Sequence, residues 1–408
     1  MGLKFDFKSR HGKVAEVRPP EAPRPVDLGP ATDEPSVLWS GHLYDYSGYG
    51  KANREILFRV ANALRVSVLR TGLEDGLVSV DLCTRRRIDA YRDVPVNEKA
   101  PLLRFFGPDY VGDQKRYRIC WTMMETYKIH YEMVRMVNQS FDELWTPTEW
   151  GRQVFVESGV KIPSYVYPLG VNSAIYRPIQ DAKLPKCRLL TTSQAGAVGI
   201  PSGFVFFSVG LPSFRKGFDV LVEAFDLAFR GREDVHLVLG ITHSLPEWNK
   251  QVYQQFAGRN TRIWTLEGRY NEHEMARIYS AVGAYVSASR GEGWNLPVCE
   301  AAACGIPVIA PDNTSHPEVT GGGAYLIPTE GLAVHEEGAR VSPWYVGVPF
   351  AVFGKKSVAT LADQMRAVSE GAPGVRHKAE GLLRTVRTKW TWDAVAHRVT
   401  DRLLEVQL

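Results

Sequence analysis

The chain predicts an α/β protein built from two doubly wound, Rossmann-like domains, and three observations carry that expectation. Its 408 residues exceed one ordinary domain and suit two of roughly 200 each. Short apolar segments at Val66–Leu69, Val78–Leu82, Leu102–Phe106 and Arg118–Thr122 alternate with polar turns and helical stretches, which is the βα rhythm of an open, mostly parallel sheet. The unit of strand, glycine-bearing loop and helix also recurs, after Pro35–Ser40, after Phe204–Val209 and after Ala284–Val286. In a doubly wound sheet that unit makes a phosphate-facing turn.

Composition narrows the class. Hydrophobic content of 44% and charged content of 23% are globular values and argue against a disordered chain. A net charge of +4 suits an anionic ligand or surface without demanding nucleic acid. The five cysteines, Cys83, Cys120, Cys187, Cys299 and Cys304, are odd in number and form no C-x-x-C. Neither a disulfide framework nor a zinc site is indicated, and a reducing cytoplasm is the expected compartment. The first 35 residues contain no apolar run fit for a signal peptide or a spanning helix, so any meeting with the inner face of a membrane is expected to be peripheral. Residues 1–34, with Lys4, Lys8, Arg10, Lys13, Arg18 and Arg24 among prolines, read as a polar basic arm rather than a dedicated contact with lipid phosphate or nucleic acid.

In chain order, PSVLWS (35–40) is the first strand. Gly41, Gly48 and Gly50 make a flexible loop containing Ser47-Gly48-Tyr49-Gly50, and a helix begins at Lys51 with Ile56, Leu57, Val60 and Leu64 on one face. The loop is not a Walker A loop, because Ala52 follows Lys51. It is not G-x-G-x-x-G either, because Asn53 stands at the third glycine. Arg85-Arg86-Arg87 reads as a solvated charge run. Trp121–Thr126 closes a strand, with Glu125 in it and His130 shortly after. Phe141–Ser164 reads as strand, helix and turn. Residues 179–202, rich in Lys, Pro, Thr, Ser and Gly without convincing periodicity, read as a linker or surface insertion.

Phe204–Val209 opens the second sheet, and Gly210–Gly217 is its first loop, followed by a helix with the stripe Phe218, Leu221, Val222, Phe225. Arg215 and Lys216 stand at the carboxyl end of that strand, where a diphosphate docks in this architecture; the bland alternative is a helix-flanking surface pair. Strands follow at Val235–Gly240 and Arg262–Leu266. Gly268-Arg269-Tyr270 precedes a helix whose Asn271 and Glu274 have the spacing of a capping box. His273 and Glu274 make no metal motif, since Arg277 stands where a second histidine would be needed.

The stretch Ser287–Pro311 organises the rest. It leaves a strand, passes through the loop Arg290–Asn295, enters a small-residue helix at Pro297 and departs through a strand at Ile306–Ala310. Glu292 and Glu300 lie eight positions apart, the first on the loop and the second one turn into the helix. Amides between them are donors for an anion, and the two acids suit sugar hydroxyls. The alternative is a buried helix with two solvated glutamates. Residues 321–350 read as glycine-rich and irregular, Ser357–Glu370 and Gly374–Thr388 as helices, and Trp390–Val406 as an amphipathic segment.

Glu292–Glu300, EGWNLPVCE, resembles the E-x7-E signature of retaining GT-B glycosyltransferases of the group 1, or family 4, class. The downstream AAACGIPVIAPDNTSHPEV resembles that family's continuation, and SGYG (47–50) resembles its first loop. The resemblance covers about 35–408 and is strongest from 204 to 325. It implies GT-B architecture with an interdomain cleft: an arm (1–34), an acceptor domain (35–178), a linker (179–202), a donor domain (203–388) and a terminal helix (389–408) crossing back to the first domain. It further implies a nucleotide-sugar donor, UDP- or GDP-linked, with no cofactor, and an acceptor among glycans, lipid-linked glycans and small molecules. By the same resemblance Glu300 holds the ribose, Glu292 the sugar hydroxyls, and Arg215, Lys216 and the amides of Gly293, Trp294, Asn295 and Leu296 the diphosphate. Gly210 borders the donor, and Gly268, Arg269 and Tyr270 line the base pocket.

The chain departs from the family in four places. Leu211 stands where a basic residue is usual, Asn172 where an Asp is usual, and Asn295 where glycine is commoner. No histidine occupies the family's place just beyond the Trp121 strand, where Glu125 stands nearby as candidate and His130, five residues on, is the alternative. Absence of D-x-D points to metal-free stabilisation of the leaving diphosphate by Arg, Lys and helix N-termini. Two alternatives stand beside the transferase: a binding protein that keeps the fold, and a sugar-phosphate synthase or phosphorylase on the same scaffold. A nucleic-acid protein has no recognised motif in its favour.

Overall fold

Strand β1 (Ser36–Gly41) buries five successive side chains, Ser36 to Ser40, as a central strand covered on both faces must. The computed structural model describes residues 33–69, 80–107, 115–189, 197–241 and 262–407. Nearly all of the basic arm, the start of Val78–Leu82 and residues 190–196 of the 179–202 passage lie outside the described residues.

After β1 comes α1 (Gly48–Val60), with Ile56, Leu57 and Val60 buried and Leu64 buried just beyond it. Gly48 and Gly50, expected in a loop, instead form the first turn of this helix. Ser47 is its N-cap and its Oγ accepts from the Gly50 amide. Asp45 in turn accepts from the Ser47 amide and hydroxyl. A capped helix start of this kind satisfies donors that a free loop would leave to water. Asn53, at the position that rules out G-x-G-x-x-G, is fully buried; it accepts from Trp39 Nε1 and donates to the Tyr49 and Phe105 carbonyls.

The first layer continues with β2 (Arg65–Val68), α2 (Leu82–Asp89), β3 (Leu102–Phe105), β4 (Arg118–Trp121), α3 (Tyr131–Ser140), β5 (Glu143–Thr146), α4 (Glu149–Glu157) and β6 (Ser164–Val166). The order is β2-β1-β3-β4-β5-β6, and every pairing is parallel. Strand order reverses between β1 and β3, and the carboxyl ends of those strands are where a doubly wound sheet binds its ligand. The described end of the expected apolar segment 78–82 is not a strand: Asp81 caps α2, and Leu82 is exposed at its start.

The second layer contains β7 (Arg188–Leu189), β8 (Phe204–Gly210), α5 (Phe218–Phe229), β9 (Val235–Ile241), β10 (Ile263–Glu267), α6 (Glu272–Ser280), β11 (Ala284–Val286), α7 (Leu296–Ala303), β12 (Val308–Pro311), α8 (His316–Thr320) and β13 (Tyr325–Ile327). Its order is β13-β12-β11-β8-β9-β10-β7, parallel except for β7, which runs antiparallel to β10. The passage 179–202, read as linker or insertion, therefore supplies an edge strand. This sheet reverses between β8 and β11, the strands that carry the Gly210–Gly217 and Arg290–Asn295 loops.

Residues 321–350 are not irregular as expected. They hold β13, a hairpin of β14 (Leu332–Val334) with β15 (Pro349–Ala351), and α9 (Glu336–Val341). Tyr345, Val348 and Phe350 enter one apolar core with Met124, Met133, Val137 and Phe155 of the first layer. Glycine count hid this element because its order comes from distant packing, not local propensity. Helices α10 (Lys355–Ser369), α11 (Val375–Lys389) and α12 (Trp392–Glu405) complete the chain. Helix α12 returns to the first layer and packs on α1, where Arg402 Nη2 lies 2.7 Å from Glu143 Oε2. Glu143 is fully buried and also accepts from Tyr117 and Trp145. Among the described residues no helix is long and apolar enough to cross a membrane.

Candidate active site

The switch points of the two sheets face each other across a cleft of about 1130 Å³. Ser47, Gly48, Tyr49, Met123 and Glu125 line it from the first layer. Gly210, Leu211, Arg215, Lys216, Gly268, Arg269, Tyr270, Glu292–Leu296 and Glu300 line it from the second. The candidate catalytic and donor-binding residues all border this one space, and of the glycine loop only Gly50 does not, being turned against Asp45. His130 is not among the lining residues; it caps α3, its Nδ1 accepting from the Glu132 amide. Glu125 is the group that reaches the cleft.

Glu292 sits at the centre of a charged knot. Arg215 Nη1 lies 2.9 Å and Lys216 Nζ 2.6 Å from its carboxylate. Burial alone would raise the Glu292 carboxyl, but the Arg215 and Lys216 charges outweigh it and hold the group well below the carboxylate range. Burial pulls the Lys216 ammonium down against the attraction of Glu292. Arg215 and Lys216 are therefore no surface pair: they are largely enclosed. The local chain explains their position. Arg290 N and Ser289 Oγ both donate to the Arg215 carbonyl, and Arg290 forms a two-pronged pair with Asp219. The loops after β8 and β11 are thereby fastened to each other. Gly217, at φ 64°, backs onto the Ala288 carbonyl so closely that no side chain fits.

Glu125 enters this knot from the first layer. Its Oε1 is 3.9 Å from Arg215 Nη2, and its Oε2 accepts from Tyr345 Oη at 2.6 Å. The layers touch directly here, since a side chain at Gly291 would run into the Glu125 carbonyl and one at Gly293 into Met123.

Asn295 holds the left-handed conformation, φ 72°, that a glycine would adopt freely and that Asn tolerates better than most residues. Its Nδ2 is within 2.9 Å of His316 Nε2 and donates to Ser287 Oγ. His316 is fully buried, and burial pulls its pKa down to about 4 despite the nearby Glu292. It is therefore a neutral acceptor at neutral pH.

Glu300 is held by a different set. Tyr279 Oη donates to its Oε2 at 3.0 Å, and Lys51 Nζ lies 2.7 Å from its Oε1. Lys51 also lies 2.6 Å from Glu272 and donates to Tyr176 Oη. The sequence signalled Glu300 through spacing, but it did not signal Lys51, Glu272, Tyr176, Tyr279 or His316 as part of the site. The hint for Lys51 was its place beside two glycines at a helix start. Arg269 and Tyr270 follow Gly268 at φ 129°, and Arg269 stacks on Tyr46 of the first layer at 5.7 Å. The capping box is present: the Asn271 side chain accepts from the Glu274 amide, and Glu274 accepts from the Asn271 amide.

Residues 203–337 match the family model of the group 1 glycosyl transferases. The chain is 36% identical over 76 residues to O-antigen chain mannosyltransferase B of Escherichia coli, a match covering 18% of this chain and 20% of that protein. It is 26% identical over 297 residues to the GDP-mannose-dependent monoacylated alpha-(1-6)-phosphatidylinositol monomannoside mannosyltransferase of Corynebacterium glutamicum, covering 70% of this chain and 68% of that protein. The structure of Anabaena HepE in complex with UDP and glucose superposes with a TM-score of 0.64 at 13% identity, over 91% of this chain and 99% of that one. The fold is thus the α/β GT-B arrangement, and residues 203–337 form a group 1 glycosyl transferase domain.

Proposed function

We propose that this chain is a retaining, metal-independent glycosyltransferase that moves a sugar from a UDP- or GDP-sugar to an acceptor hydroxyl. The observation that carries the reading is the knot of Glu292, Arg215 and Lys216 at the second sheet's switch point, with Glu300 eight residues on and Glu125 facing it. Arg215, Lys216 and the amides of 293–296 take the diphosphate, where preorganised donors meet the charge that develops as it leaves. Glu292 holds sugar hydroxyls, Glu300 the ribose diol, and Gly268–Tyr270 borders the base. The acceptor oxygen bonds to the anomeric carbon as the carbon–phosphate oxygen bond breaks, on the same face, and the acceptor's proton passes to the departing diphosphate. The residues near the anomeric carbon then need only position and stabilise. The domain boundaries that go with this reading are 35–178 for the acceptor side and 203–388 for the donor side. The activities named for the two relatives direct the acceptor search toward O-antigen chains and phosphatidylinositol monomannosides.

The test is a calorimetric panel of UDP, GDP and ADP with and without EDTA, followed by proton NMR of the first sugar anomer released when the bound donor hydrolyses. The expected result is one preferred nucleotide, affinity unchanged by EDTA, and release with the donor's own anomeric configuration. Binding of no nucleotide, or release of the opposite anomer, overturns the corresponding part of the reading.

A further inference from the structure

Lys51 belongs to the first turn of α1, yet two of its three partners belong to the other side of the cleft. Its ammonium lies 2.7 Å from Glu300 Oε1 on α7, 2.6 Å from Glu272 Oε1 on α6 and 2.9 Å from Tyr176 Oη. An ammonium has three N–H donors; it donates to Glu300 Oε1 and Tyr176 Oη, and it pairs with Glu272 by charge at close range. The side chain is only 15% exposed. Burial would strip its proton, but Glu300, Tyr176 and Glu272 more than reverse this and raise its pKa well above the ordinary value. Glu300 is thus pinned on one oxygen by Lys51 and on the other by Tyr279 Oη. Each oxygen keeps a lone pair for a further donor. Without the ammonium, two carboxylates would share an enclosed place beside the cleft with no countercharge between them, which disfavours both their ionised forms and any incoming anion.

We propose that Lys51 is a positioning residue for the nucleoside end of the donor. By pairing Glu300 and Glu272 from the opposite side of the cleft, it makes the ribose-holding carboxylate complete only when the two domains are together. This rests on the donor reading above and deepens it. Lys51 does not touch the donor; it acts through Glu300. Nucleoside affinity is thereby tied to domain closure, while the diphosphate end, held by Arg215 and Lys216, is not.

The experiment compares wild type, Lys51→Met, Lys51→Arg and the double variant Lys51→Met/Glu272→Gln by calorimetry with UDP, GDP and inorganic pyrophosphate, with melting curves to establish folding. Lys51→Met is expected to weaken the preferred nucleotide roughly 10- to 100-fold, the range for losing a hydrogen bond to a charged group, and to leave pyrophosphate affinity unchanged. Lys51→Arg is expected to keep most of the affinity. The double variant removes the unpaired second carboxylate, so it is expected to melt near wild type and still bind the nucleotide several-fold more weakly. If Lys51→Met does not fold, the double variant decides. A folded double variant that binds UDP or GDP as wild type does, or that loses pyrophosphate and nucleotide equally, overturns the role of Lys51. Wild type that binds none of the nucleotides overturns the donor reading and this inference with it.

Discussion

Glu292 and Glu300 come from one nine-residue stretch and border one cleft, yet they are held by opposite means. Glu292 is paired within its own domain by Arg215 and Lys216, whose loop is fastened to the Glu292 loop by Arg290, Ser289 and Asp219. Glu300 is paired from across the cleft by Lys51. On the proposed reading the first half draws its close pairs from one domain, with Glu125 reaching Arg215 only at 3.9 Å, and the second half takes Lys51 from the other. If the roles proposed above hold, such a site takes the diphosphate first and registers the nucleoside on closure. The same contrast extends to the rim, where Glu318 of α8 accepts from the Glu149 and Trp150 amides and so caps α4 of the other layer.

The largest expected effect is on the own-domain half. Glu292→Gln removes a carboxylate that carries no cross-cleft pair, and turnover of the preferred donor is expected to fall about 10²- to 10³-fold. Because Arg215 and Lys216 are released by the change, UDP or GDP affinity is expected to hold or tighten. Steady-state kinetics beside calorimetry would read both quantities. The comparison breaks if Glu292→Gln and Lys51→Met both weaken the nucleotide alike.

The next effect is on what keeps that half rigid. His316 stays neutral in the fold with a pKa of about 4, against 6.5 in the unfolded chain. The unfolded state therefore gains a proton first as pH falls, and stability is lost between about 6.5 and 4, by up to about 3 kcal/mol. The charged groups acting on His316 are Glu292, Lys216 and Arg215. Urea melts across that window should slope more steeply for wild type than for His316→Gln, and equal slopes would remove His316 from the account.

The smallest effect sharpens the cross-cleft half. Glu318→Ala strips a cap from α4 and should cost about 1 kcal/mol. In small-angle scattering the nucleotide-free variant should have a larger radius of gyration than wild type. Unchanged scattering would mean that the packed core around Tyr345 and Phe350 holds the layers by itself.

Much of this was legible in the chain because it is local. The buried stripe of α1, the capping box at Asn271 and Glu274, and the spacing of Glu292 and Glu300 depend on residues within a few turns of each other. Gly48 and Gly50 misled because glycine favours loops, while the cap from Ser47, itself set by Asp45, made a helix start. The 321–350 segment misled for the opposite reason: its hairpin and Tyr345 are ordered by a core in the other layer.

By itself, the sequence determined most of the elements, their alternation and which acids and bases stand at strand ends, since periodicity, capping and loop length act over short distances. Tertiary structure alone decided the partners. Lys51 and Glu300 are separated by 249 positions, and Arg215 and Glu125 belong to different sheets. Pairing of buried charges is settled by which surfaces pack and exclude water, and no local pattern encodes that choice.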